Sequence, residues 1–157
     1  MTELPIENVQ DYPRPPALER VSLRLKAVLQ DTVVAETERS YRVLETHHAP
    51  TYYFPPEDVF ATLTAADGRS FCEWKGVASY WNVDVNGATA PRAAWSYARP
   101  TPAFREIEGY LAIYATSMDA CFVGDSRVIP QPGNFYGGWV TENLRGQIKG
   151  APGTEHW

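Results

Sequence analysis

Hydrophobic and polar residues alternate at period two along most of this chain. Over 21–29, Val21, Leu23, Leu25, Ala27 and Leu29 fall on one side, and Ser22, Arg24, Lys26 and Val28 on the other. That is the signature of a strand with one face buried and one wet. Segments 32–36 and 39–45 repeat it in shorter form, and the β-branched run Thr32-Val33-Val34 makes Gln30-Asp31 a turn between strands. Pro50 and Pro55-Pro56 then bracket Tyr52-Tyr53-Phe54. A residue ahead of proline avoids helical angles and proline cannot donate to a ladder, so these rings are predicted on a short strand between two bends. Glu57 and Asp58 follow as a single turn with acids at its positive end.

Two turn dipeptides punctuate the next stretch. Asp67-Gly68 lies between 60–64 and 69–74, and Asn86-Gly87 between 77–85 and 88–97, which predicts two consecutive hairpins. Gly76 predicts a bulge or sharp bend. After Pro100-Thr101-Pro102 the pattern gives a helical turn at 103–107 and strands at 109–117, 120–123 and 126–129. The chain reads as mainly β, in small antiparallel sheets. An extended arm over 1–20, carried by Tyr12-Pro13-Arg14-Pro15-Pro16, leads into a β domain over 21–129. A Gly- and aromatic-rich tail over 130–157 packs back on that domain.

Composition narrows the partners. A chain of 157 residues suits one domain with a single main stabilising core. The net charge of -5, with no run of Lys or Arg, argues against nucleic acid. No apolar window reaches the length of a membrane span and the N-terminus lacks a basic start before an apolar run, so a cytoplasmic protein without a membrane partner is expected. Cys72 and Cys121 are too few for a disulfide framework and form no C-x-x-C pair. The aromatic share of 13% is high, and such rings build either a stiff core or a stacking site.

Several motifs recur as a set: Asp11-Tyr12-Pro13-Arg14-Pro15-Pro16, Tyr41-Arg42-Val43-Leu44-Glu45-Thr46, His48, Pro50, Tyr52-Tyr53, Pro55-Pro56-Glu57-Asp58-Val59, Phe71-Cys72-Glu73-Trp74-Lys75-Gly76, Ala94-Trp95-Ser96-Tyr97 and Phe135-Tyr136-Gly137-Gly138-Trp139. Together they resemble the bacterial family known as domain of unknown function 427, over nearly the whole chain. His47, Ala49 and the end Glu155-His156-Trp157 depart from the family pattern. The resemblance implies a fold similar to the β-tent of Mss4-like proteins, two small sheets meeting at an angle. Many proteins of that fold hold zinc between paired C-x-x-C motifs, which this chain lacks, so neither a metal nor another cofactor is expected. The family also carries a nucleotidyltransferase-like label. That chemistry needs paired carboxylates for its metals, and the nearest approach, Asp84-Val85-Asn86, reads as a strand running into its turn.

Chemistry could sit in two places. Glu45 and His48 flank a short loop, where a carboxylate within reach of an imidazole sets its tautomer and raises its basicity for acid–base work; the competing reading is a loop histidine bonded to nearby backbone. His47 and His48 point to opposite faces if extended and make poor joint metal ligands. A bulge before Gly76 would turn Lys75 toward Cys72 and favour its thiolate, making a nucleophile; otherwise Cys72 is a small buried hydrophobe beside a solvent-facing lysine. The catalytic candidates are therefore His48, Glu45 and Cys72.

The ligand-binding candidates are Tyr52, Tyr53, Lys75, Tyr80, Trp81, Trp95 and Tyr97. If these rings converge on a polar group, they form a concave apolar site for a small molecule; if they face only each other, they are core. Two functions follow. One is binding of a small planar organic ligand in an aromatic cleft, with catalysis left open. The other is an interaction or self-association module, as monomer or homodimer, which needs an exposed apolar patch instead of a closed hollow.

Overall fold

A computed structural model describes residues 4–133 and 135–154; Asn134 of the tail motif and the terminal Glu155-His156-Trp157 lie outside the described residues, as do residues 1–3. The chain begins with β1 (Glu7–Asn8), β2 (Ala17–Val21), β3 (Leu25–Leu29), β4 (Thr32–Thr37), β5 (Ser40–Leu44) and β6 (Thr51–Tyr53). The long β7 (Thr62–Cys72), β8 (Gly76–Val85) and β9 (Ala88–Ser96) follow. Short pieces close it: β10 (Ala112–Ile113), β11 (Ala120–Val123), β12 (Ser126–Arg127), β13 (Ile129–Pro130), β14 (Trp139–Val140) and β15 (Leu144–Arg145). The protein is mainly β, built from several small sheets that are antiparallel except for the parallel pair of β1 with β15.

The alternation over 21–29 spans two strands in two sheets. Val21 ends β2, which pairs with β5, whereas Leu25 begins β3, which pairs with β4. Periodicity reports the buried face and is blind to the partner, so it runs unbroken across the change of sheet. The three larger sheets are β2-β5-β6, β12-β11-β3-β4 and β10-β9-β8-β7, and β13 pairs with β14. Gln30 and Asp31 adopt φ of 54° and 55°, and Asn86 and Gly87 adopt 50° and 79°, the left-handed pairs that tight hairpins require. The aromatic strand sits between its prolines at Thr51–Tyr53, and Pro56–Asp58 forms the expected single turn.

Asp67-Gly68 is not a hairpin turn. β7 runs through it, and both halves pair with β8: Ala65 lies opposite Trp81 and Arg69 opposite Ser79, so the intervening residues bulge. The reversal falls instead at Glu73-Trp74-Lys75, since Cys72 pairs with Gly76. A second bulge lies across β8, where Trp81 faces Ala94 and Val83 faces Ala90, with Arg92 at φ 49°. Arg92 joins the two irregularities. Its guanidinium lies 4.0 Å from the centre of the Tyr80 ring and donates to the Asp67 carbonyl. The strand predicted over 109–117 contracts to Ala112–Ile113, followed by a 3-10 turn at Ala115–Ser117. Here the chain passes between sheets: Leu111 exchanges two hydrogen bonds of 2.8 Å with Phe54, and Tyr114 N–H donates to Ala93.

β8 divides the interior. Ala78 and Tyr80 enter one core with Val43, Tyr53, Trp95 and Tyr97, while Val83 and Val85 enter another with Leu25, Val34, Phe54 and Trp139. Trp139 brings the tail into the second core, against Tyr52 and Phe54, and its indole N–H donates to Ile113 O at 2.9 Å. The N-terminal segment is held by Tyr12, buried with Val9 and Leu44, and by Arg42, which forks onto both Glu7 oxygens at 3.1 and 2.9 Å. Burial opposes the Glu7 charge, but the hydrogen bonds from Arg42 and Tyr12 outweigh it and hold that carboxyl below the usual range.

Gly68, at φ +96°, offers no room for a side chain, because a Cβ would stand 2.7 Å from Arg92 Nη1. Gly68→Ala should destabilise the fold by roughly 1–2 kcal/mol through backbone conformation. A further loss from the displaced Arg92 should disappear in the Arg92→Ala background. A double-mutant cycle in urea reads both; full additivity would show that the bulges are independent.

Candidate functional site

The loop from β5 to β6, the reversal at Glu73-Trp74-Lys75, the inner faces of β8 and β9 and the tail from Gln131 line a cavity of about 490 Å³ that opens to solvent on one side. Of the residues expected at a site, Glu45, His48, Tyr53, Cys72, Lys75, Tyr80, Trp95 and Tyr97 line it. Tyr52 and Trp81 are outside its wall. Each follows strand alternation: Tyr53 and Tyr80 face the hollow, so their neighbours face away. Tyr52 packs on Trp139 with ring centres 5.6 Å apart, and the Trp81 indole N–H donates to Ser96 Oγ at 2.9 Å.

The tail supplies residues that no motif marked as binding groups: Gln131, Tyr136 and Lys149. The one signal was Gly137-Gly138. Neither adopts positive φ; both are glycine because the backbone passes hard against its neighbours. A Cβ on Gly137 would lie 2.6 Å from a Trp95 ring carbon, and one on Gly138 would lie 2.6 Å from Ala49 O and overlap Gln131 Oε1.

Gln131, 2% exposed, ties the wall together. Its Oε1 accepts from Ala49 N–H at 3.2 Å, and its Nε2 donates to Lys149 O at 3.0 Å and to His48 Nδ1 at 3.2 Å. A backbone N–H can only donate and a carbonyl can only accept, so the carboxamide has one orientation and Nδ1 must be the acceptor. The neutral His48 ring therefore carries its proton on Nε2, 3.9 Å from Glu45 Oε2. Glu45 is itself paired with Arg14 at 3.5 Å. Burial, and then the charges of Lys149 and Lys75, push the His48 pKa down to about 4. At neutral pH the ring is an uncharged N–H donor whose lone pair is already used. That suits holding an acceptor atom better than taking a proton.

The rings are arranged edge to face and tilted. Trp95 and Tyr114 lie 4.5 Å apart, His48 and Tyr136 5.3 Å, and Tyr53 and Tyr97 6.5 Å. Ser70 Oγ and Tyr80 Oη share a 2.8 Å hydrogen bond. Tyr53 is completely buried and its hydroxyl has no partner in bonding geometry among the described residues, with Trp95 and Tyr97 beside it; burial raises its pKa well above the ordinary phenol value. The two thiols differ. Cys72 opens onto the cavity, whereas Cys121 sits in the core, where burial pushes its pKa up to about 12 and leaves it inert.

Among the described residues no group of three or more His, Cys, Asp or Glu side chains is placed to hold a metal, and no helix is long and apolar enough to cross a membrane. Fold and cavity define a small, mainly β protein with an aromatic hollow between its sheets. Residues 17–124 match the family described as Domain of unknown function (DUF427), and the chain belongs to that family. The matched span holds Glu45, His48, Cys72 and Lys75; the segment bearing Gln131 and Lys149 follows it. No curated protein matches the chain.

Gly138→Ala should cost about 2 kcal/mol or more, because Ala49 O is backbone and cannot yield. It should also move the His48 pKa toward 6.5 as the displaced tail exposes the ring to water; an NMR titration that leaves it unchanged would show that the tail does not keep the ring buried. A second outcome follows from the depressed His48 value. As pH falls from about 6.5 to about 4 the unfolded chain takes up the proton first, so stability present above that window is lost within it, by at most roughly 3 kcal/mol. His48→Gln should flatten this part of the stability–pH curve measured by urea unfolding.

Proposed function

We propose that this is a cytoplasmic protein that binds a small planar organic ligand in the aromatic cavity. In this reading the body over 21–129 carries the rings, the arm over 1–20 braces it, and the tail over 130–157 closes the hollow and adds polar groups. The observation that carries it is the 490 Å³ hollow, within the range of small-molecule sites and walled by Tyr53, Tyr80, Trp95, Tyr97 and Tyr114. A single neutral N–H donor on His48 gives orientation to a guest that the rings hold by stacking. The groups support binding; the orientation of His48 supplies no free base, so no reaction is assigned.

A second reading has its own support. Phe71 and Val77 are direct partners across β7 and β8, 75% and 51% exposed, and Phe135 is exposed as well. An apolar pair of this kind on a hairpin suits contact with another protein or a second copy. Light scattering during size exclusion distinguishes the versions: a monomer unaffected by concentration removes self-association.

Native mass spectrometry of protein purified from its source should show a co-purified small molecule. His48→Ala should lose it and His47→Ala should keep it, since only His48 lines the cavity. Protein that carries no guest, and whose thermal stability does not respond to any of a broad set of small aromatic compounds, would defeat the proposal.

A further inference from the structure

The strongest unexplained feature of the cavity is its charge. Lys75 is only 9% exposed, yet among the described residues no carboxylate lies within 4 Å of its ammonium group. Its polar head instead stands 5.9 Å from the centre of the Tyr97 ring and 6.0 Å from that of Phe104, at the limit of useful cation–π attraction. Nor is this a loose surface side chain. The reversal that bears it is fixed from outside, with Thr101 N–H donating to Lys75 O at 3.0 Å and Thr101 Oγ1 donating to Trp74 O at 2.6 Å.

Lys149 repeats the arrangement from the tail. Its ammonium lies 5.4 Å from the centre of the Tyr136 ring, again with no carboxylate within 4 Å among the described residues, while its backbone is fixed on both sides of the residue. The N–H donates to His47 O at 2.7 Å and the carbonyl accepts from Gln131. Both lysines and His48 line the same hollow, and both ammonium charges act on that ring. The acids nearby do not balance them: Glu45 is engaged by Arg14, and Glu73 stands exposed at the rim. A chain of net charge -5 has acids to spare, and among the described residues none forms an ion pair with either cation. Lys149 is half-buried and Lys75 buried; an ammonium held away from water without a counter-charge is costly, and a bound anion reduces that cost.

We infer that the ligand is a planar organic anion, its anionic oxygen group held by Lys75 and Lys149 with the Nε2–H of His48 as a neutral donor, and its ring stacked on the tyrosine and tryptophan walls. This rests on the ligand-cavity reading above and specifies the class of guest. The charged head is a carboxylate or a phosphate monoester; both present paired anionic oxygens to an ammonium pair.

Three probes of one shape test it on the full chain: naphthalene-2-carboxylate, 2-naphthyl phosphate and the uncharged 2-naphthamide, titrated by calorimetry against the wild type, Lys75→Met and Lys149→Met, with circular dichroism confirming the fold of each. At least one anion should bind the wild type about tenfold or more tightly than the amide, and either substitution should erase most of that preference while leaving amide affinity in place. The anion that gains most identifies the head group. Should Lys75→Met fail to fold, Lys149→Met, in a separate segment, carries the comparison. Equal binding of all three probes, or a preference that survives both substitutions, overturns the anionic assignment and leaves the cavity reading standing. No binding of any probe at millimolar concentration overturns both.

Discussion

The carboxamide of Gln131 is the point on which the cavity depends. It is almost fully buried, and its acceptor and both of its donor hydrogens are spent on two separate stretches of chain: the loop that carries the His48 imidazole and the Ala49 N–H, and the backbone of Lys149. A buried amide satisfied this completely is rigid, because moving any partner strands a polar group away from water. Its position relies in turn on the glycines that follow. Gln131 N–H donates to Gly138 O, Trp139 N–H donates to Pro50 O, and the absence of side chains at Gly137 and Gly138 lets the tail lie flush against Trp95 and Ala49. The burial of Trp139 in the neighbouring core supplies the apolar anchor for this set of polar ties.

Enclosure then changes what the lining groups can do. The same histidine on a surface loop would be half charged near neutrality; walled in beside two ammonium groups it stays neutral, with its proton fixed on the nitrogen that faces Glu45. The phenols follow the same logic. Burial raises Tyr53, Tyr97 and Tyr114 above their usual range, so they remain uncharged donors and stacking surfaces. Lys75 and Lys149 line the hollow with no carboxylate within 4 Å among the described residues. The site is thus specialised for recognising shape and a negative group.

Much of this was legible in the chain. Proline brackets gave the aromatic strand, Asn86-Gly87 gave its hairpin, and the candidate rings Trp95 and Tyr97 do line the hollow. The errors share a cause. Asp67-Gly68 carries the same local instruction as Asn86-Gly87, tolerance of positive φ, but it ended as a bulge because both flanking halves found the same partner in β8. The 21–29 alternation likewise described a buried face correctly while concealing a change of sheet. Tyr52 and Trp81 carry rings suited to a site, but each has a neighbour of opposite parity that takes the cavity side.

Local chemistry, written in the order of residues, was enough to specify strands, turn-prone dipeptides, family membership and most of the rings around the hollow. Such properties depend on a few neighbours along the backbone. The folded arrangement alone selected which pairings those strands made, brought Gln131 and Lys149 beside a loop about a hundred residues earlier in the chain, and left Lys75 buried with no counter-charge among the described residues. Those outcomes depend on contacts between distant segments, and no spacing along the chain encodes the desolvation or the fixed hydrogen-bond directions that give these groups their character.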